Sequence, residues 1–120
     1  MPSKFNANGT AWSYAAATGG IDNTTTAVTF KAAAGAGLKN YIESVQISHA
    51  TLGAATELAI RDGAGGTVLW RMTLGTVANE NISVRFDPPL AGAANTLLEV
   101  VTLTGVTGDV LFNAQGYSAT

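Results

Sequence analysis

The chain has 120 residues, six basic and eight acidic, with one histidine, no cysteine, and 47% hydrophobic against 12% charged residues. That is the length of a single domain with one core, and a net charge of −2 without a Lys/Arg cluster argues against binding a phosphate backbone. The lack of cysteine removes disulfides, thiol catalysis and cysteine-ligated zinc together.

The charged fraction is roughly half the globular average of about 25%, so the surface is expected to be polar by hydroxyl and amide groups. No apolar run approaches the roughly 18 residues of a membrane span. The first residues, Met1 to Thr10, hold one basic side chain and no signal-peptide core, which predicts a product used without Sec export.

In chain order, residues 1–9 read as a polar N-terminal arm and 10–120 as a single β-sandwich domain. Thr10 to Ala17 is the first strand, with Trp12 and Tyr14 on one face; Thr18-Gly19-Gly20 turns it. Thr25 to Ala32 follows, alternating Val28 and Phe30 with Thr29 and Lys31. Leu38 to His49 is the longest strand, its period of two placing Tyr41, Val45 and Ile47 on one side and Ser44, Gln46 and Ser48 on the other. Glu43 then falls on the apolar side, which puts that half at a rim.

Thr56 to Asp62 and Thr67 to Leu74 form a hairpin, because Asp62-Gly63-Ala64-Gly65-Gly66 supplies the positive-φ residues of a short reversal. Leu58 and Ile60 are expected to face Val68, Trp70 and Met72. Asn81 to Asp87 sets Ile82, Val84 and Phe86 against Ser83 and Arg85, and Pro88-Pro89 should end that strand for want of N–H donors. Asn95 to Thr104 contains Leu97-Leu98-Glu99-Val100-Val101, a run suited to cover on both faces. Thr107 to Tyr117 closes the series, with Val110 and Phe112 opposite Leu111.

About eight strands without a helix between them predict an all-β, antiparallel β-sandwich that is jelly-roll-like. A seven-stranded immunoglobulin-like sandwich fits too if the first segment is an arm.

Catalytic constellations are thin. His49 is the sole imidazole, and Ser48 beside it points to the opposite face of a strand, so the two cannot act as a pair. The carboxylates Asp22, Glu43, Glu57, Asp62, Glu80, Asp87, Glu99 and Asp109 stand singly. Asp62-Gly63-Ala64-Gly65-Gly66 offers one carboxylate where a calcium loop needs several ligands, and neither it nor Gly35-Ala36-Gly37 opens a helix as a phosphate loop would. No enzymatic activity, no cofactor and no metal are expected. Trp12, Tyr14, Tyr41, Trp70 and Tyr117 could form a sugar-stacking platform, although such aromatics more often serve a core or a subunit interface.

Tyr41 to His49, Ile60-Arg61-Asp62-Gly63 through Val68-Leu69-Trp70, Phe86-Asp87-Pro88-Pro89-Leu90 and Asn113-Ala114-Gln115-Gly116-Tyr117 resemble small virion proteins of tailed bacteriophages, most of all head decoration (cement) proteins. The likeness rests on strand style and turn placement across some two thirds of the chain. It implies a protein without chemistry of its own, on the capsid exterior of a virion assembled in the host cytoplasm. Its partners would be the major capsid protein and further copies of itself, as homodimer or homotrimer, with no nucleic acid and no membrane. Phe5, Asn6 and Asn8 in the arm, and the loop from Ala33 to Lys39 with Lys39 itself, are the contact residues this reading selects. A phage tail or fibre module that binds glycans shares the same style and is the alternative.

Overall fold

Glycine at Gly63 and Gly65, with φ of 91° and 65°, reverses the chain at its middle, and the whole fold grows from that reversal. A computed structural model describes residues 9–21 and 25–120. Its strands are β1 (Thr10–Tyr14), β2 (Val28–Lys31), β3 (Lys39–His49), β4 (Thr56–Asp62), β5 (Thr67–Leu74), β6 (Asn79–Ala91), β7 (Leu98–Thr102) and β8 (Val110–Ala119). The limbs on either side of Ala64 pair in mirror order: β4 with β5, β3 with β6, β2 with β7 and β1 with β8, all antiparallel. Thr10 and its partner Ser118 stand equally far from Ala64 in sequence, as do Val28 and Val100. The chain is one long hairpin, rolled up.

Rolling brings β3 beside β8 and β4 beside β7, which closes two four-stranded sheets, β1-β8-β3-β6 (sheet A) and β2-β7-β4-β5 (sheet B). This order makes the sandwich a jelly roll, and the immunoglobulin-like alternative falls away because β1 is a full member of sheet A.

Between the sheets lies one core in which Ile42, Val45, Ile47, Val110, Phe112 and Ala114 of sheet A meet Phe30, Leu58, Ile60, Leu74, Leu98 and Val100 of sheet B. Aromatic contacts pin both open sides. Trp12 and Tyr14 of β1 lie 6.1 and 6.2 Å from Phe30 of β2, and Trp70 of β5 meets Phe86 of β6 edge-on at 5.8 Å.

Three of the departures from simple alternation bear directly on the pattern read from the sequence. In β3 the register slips between Ile42 and Ser44, a bulge at Glu43 that reverses the phase: Asn40 and Ile42 are buried, and Tyr41 leaves the side of Val45 and Ile47. Opposite that bulge, Pro88-Pro89 does not terminate β6. Residues 86–89 leave the ladder, with a cis peptide at Asp87-Pro88, and pairing resumes at Leu90; an edge strand tolerates proline at such a bulge. In β5 a slip opposite Ile60 and Arg61 sets Val68 against Arg61, while Met72 and Trp70 face Leu58 and Ile60 as expected. All five residues of β7 are buried, in keeping with a strand covered on both faces.

Candidate interaction surface

Alternation along β8, and along β3 beyond its bulge, turns one row of side chains outward from sheet A, and composition fills that row with amides and hydroxyls. β3 contributes Ser44, Gln46 and Ser48, and β8 contributes Leu111, Asn113, Gln115 and Tyr117, all half-buried. Ser44 Oγ donates to Gln115 Oε1 at 2.7 Å, and the Gln46 and Gln115 amides donate to one another at 2.8 Å in both directions. Asn113 Oδ1 accepts from the Ala16 N–H at 3.0 Å, which fastens the exit of β1 to this face. Tyr41 and Tyr117 sit opposite one another in register and stack at 4.9 Å with ring planes 13° apart. Tyr41 reaches the outer row only through the Glu43 bulge. Lys39 and Arg85 are exposed at the margins of this face, and no charged residue lies among these β3 and β8 positions.

Sheet B carries the ion pairs Arg61–Glu99 and Arg71–Glu57. Glu99 is buried and accepts from Arg61 Nε at 2.6 Å and from the Gly65 N–H at 2.9 Å, tying the central hairpin to β7. Ala59 and Val101, opposite one another, are buried beside that pair. Arg71 and Glu57 meet at 3.2 Å in an exposed pair. Sequence reading left Glu99 as an isolated carboxylate; the strand order that sets Arg61 across from it was the missing information.

Loops at the two ends are bound to one another through backbone hydrogen bonds. At one end Leu52 N–H donates to Thr76 O and Gly53 N–H to Thr107 O; here stand Val77 and Leu103, the two exposed large hydrophobic side chains among the described residues, at 80% and 43% exposure. At the other end, Asn95 N–H donates to Leu38 O and Gly63 N–H to Leu97 O, and the Asp62 carboxylate accepts from Ala93 N–H. The loop Ala33 to Lys39 belongs to this second end, with Lys39 exposed where β3 begins. Phe5, Asn6 and Asn8 lie outside the described residues.

Potential chemistry is sparse. His49 is buried at the end of β3; its Nδ1 lies 2.8 Å from Ala50 O, while Nε2 is buried without a hydrogen-bond partner. Among the described residues no three His, Cys, Asp or Glu side chains gather where a metal ion could be held. A cavity of about 50 Å³ lined by Tyr14, Ile21, Val28, Val110 and Phe112 is apolar and far smaller than a small-molecule site. Trp12 and Trp70 pack half-buried against the core, the role favoured for such aromatics over a stacking platform, whereas Tyr41 and Tyr117 face outward together.

No protein-family description matches the chain, and no curated protein does. Among solved structures the fold is similar to the coat protein of Tobacco streak virus, at 13% identity and a TM-score of 0.37, over 96% of this chain and 90% of that one.

Proposed function

We propose that this chain is a structural virion protein that decorates a bacteriophage capsid and stabilises it by bridging shell subunits. The observation that carries this reading is a surface built for contact with little electrostatic loss. Its amides and hydroxyls are already linked to one another, and Glu99 and Glu57 are matched to arginines. Docking such a surface strips water from few unpaired charges, the step that makes charged contacts expensive. The jelly roll is an architecture shared by capsid and lectin domains, so the fold agrees with this reading without selecting it. Repetition over a lattice lets individually weak contacts add up. Catalysis has no part in this proposal.

Quantitative mass spectrometry of purified particles tests it. A copy number at a fixed fraction of the main shell protein is the expected result; absence from particles overturns the virion reading. Deletion of residues 2–9 should leave the circular dichroism spectrum and melting temperature intact while weakening attachment to shells, and undiminished attachment removes the arm from the contact.

The Tyr41–Tyr117 pair beside Gln46 and Gln115 favours one second reading, a phage tail or fibre module that binds glycans, since aromatic faces and amides are what sugars meet. A few copies per particle, with glycan-array binding lost in Tyr117→Ala, would establish it in place of decoration.

A further inference from the structure

An open sandwich has four edge strands, and natural edges are guarded by charge, proline, bulges or brevity. Three of the edges here are guarded. β6 carries exposed Arg85 and Asp87 with Pro88 and Pro89 and a broken register. β5 carries exposed Arg71 and a register slip. β2 has four residues, slips between Thr29 and Lys31, and ends in Lys31.

β1 differs. Thr10-Ala11-Trp12-Ser13-Tyr14 has no charge and no proline, and its register with β8 is unbroken from Thr10↔Ser118 to Tyr14↔Ala114. Among the described residues β8 is its only ladder partner, so its other edge offers free backbone donors and acceptors.

We propose that β1 pairs antiparallel with β1 of a second copy about a two-fold axis at Trp12, fusing two β1-β8-β3-β6 sheets into one eight-stranded sheet. This reading is independent of the virion assignment. Neutrality points to a second copy as the occupant: the edge meets itself without like-charge repulsion, whereas the charged edges would bring arginine or lysine against its own kind. The pleat fixes the register, because directly opposed residues point to the same face and a one-residue slip would mix inner with outer side chains. Centring on Trp12 sets Ala11 opposite the second copy's Ser13, both small and exposed on the outer face, and Thr10 opposite Tyr14. The two Trp12 rings, each half-buried against its own Phe30, then meet at the axis and cover one another. Five residues give a ladder only about 17 Å long, so the dimer is weak and its population follows concentration.

Sedimentation velocity of the full chain from low to high micromolar concentration tests the pairing, with two variants at the exposed positions. Ala11→Lys combined with Ser13→Lys sets lysine against lysine across the axis and should lower the association constant at least ~10-fold. Ala11→Lys combined with Ser13→Glu sets lysine against glutamate twice and should restore it to within a few-fold of the parent. A parent that stays monomeric, a Lys/Lys variant that associates like the parent, a Lys/Glu variant as impaired as Lys/Lys, or an assembly larger than a dimer each overturns the proposal. A second measurement does not depend on charge. In this cysteine-free chain, an equimolar mixture of Ala11→Cys and Ser13→Cys proteins in a glutathione redox buffer should give a mixed disulfide dimer faster than either protein alone. Equal rates in all three samples overturn the register.

Discussion

Gly116 occupies a position where the backbone of β3 and the indole of β1 close over β8. A Cβ there would fall on the Tyr41 carbonyl oxygen and within 2.8 Å of Trp12 Cζ2, so Gly116→Ala forces strands apart at the centre of sheet A. The expected loss is about 2–3 kcal/mol in chemical denaturation, as for other overpacked interiors. Glu99 poses the opposite problem, a buried carboxylate whose side chain is 6% exposed and whose cation is Arg61. Arg61→Ala leaves it only the Gly65 N–H, and breaking a pair this enclosed should cost about 3 kcal/mol. Arg71→Ala, at the exposed pair with Glu57, should change stability by less than about 1 kcal/mol. Urea titration of both arginine variants separates the two environments.

At the scale of strands, the bulge at Glu43 decides which side chains of β3 face the core, and it reverses what the alternation predicts. Ile42→Asn should destabilise the fold by about 3 kcal/mol or more because Ile42 is fully buried, whereas Tyr41→Asn should leave most of the stability in place; without the bulge the order would be inverted. Melting temperatures of the two variants check this. The same comparison shows what sequence can carry. Strand existence was legible wherever Val, Ile, Phe and Trp recur every second residue between turn residues, and Gly63 and Gly65 marked the central hairpin because only their backbone fits it. A bulge changes the count by one residue without a composition of its own, so the outward stacking of Tyr41 on Tyr117 could not be foreseen. Pro88-Pro89 misled for a related reason: proline forbids a ladder bond, and an edge strand can bend those residues out of the ladder instead. The Arg61–Glu99 pair stayed hidden because strand order across the roll is absent from any local pattern.

For the molecule as a whole, mirror pairing about Ala64 means that each closed pair brings the next within reach, so the costly loop closures of a β fold become a series of small ones. The central turn is then expected in the folding nucleus. A Cβ at Gly65 meets nothing within 4 Å, yet its φ of 65° strains a branched residue. Gly65→Val should cost about 1–2 kcal/mol, expressed almost wholly as refolding slowed about 5- to 30-fold. Stopped-flow Trp fluorescence will read this directly, and an effect confined to the unfolding rate would move the nucleus elsewhere. The rolled hairpin also orders events on the ribosome. β4 can pair as soon as β5 follows it, but β1, made before the other strands, must wait for β8, so Trp12 and Tyr14 stay uncovered while seven later strands are translated. On a crowded polysome this neutral strand is the one a neighbouring nascent chain meets first, and a chaperone scanning for extended, uncharged segments would find its longest-lived target there.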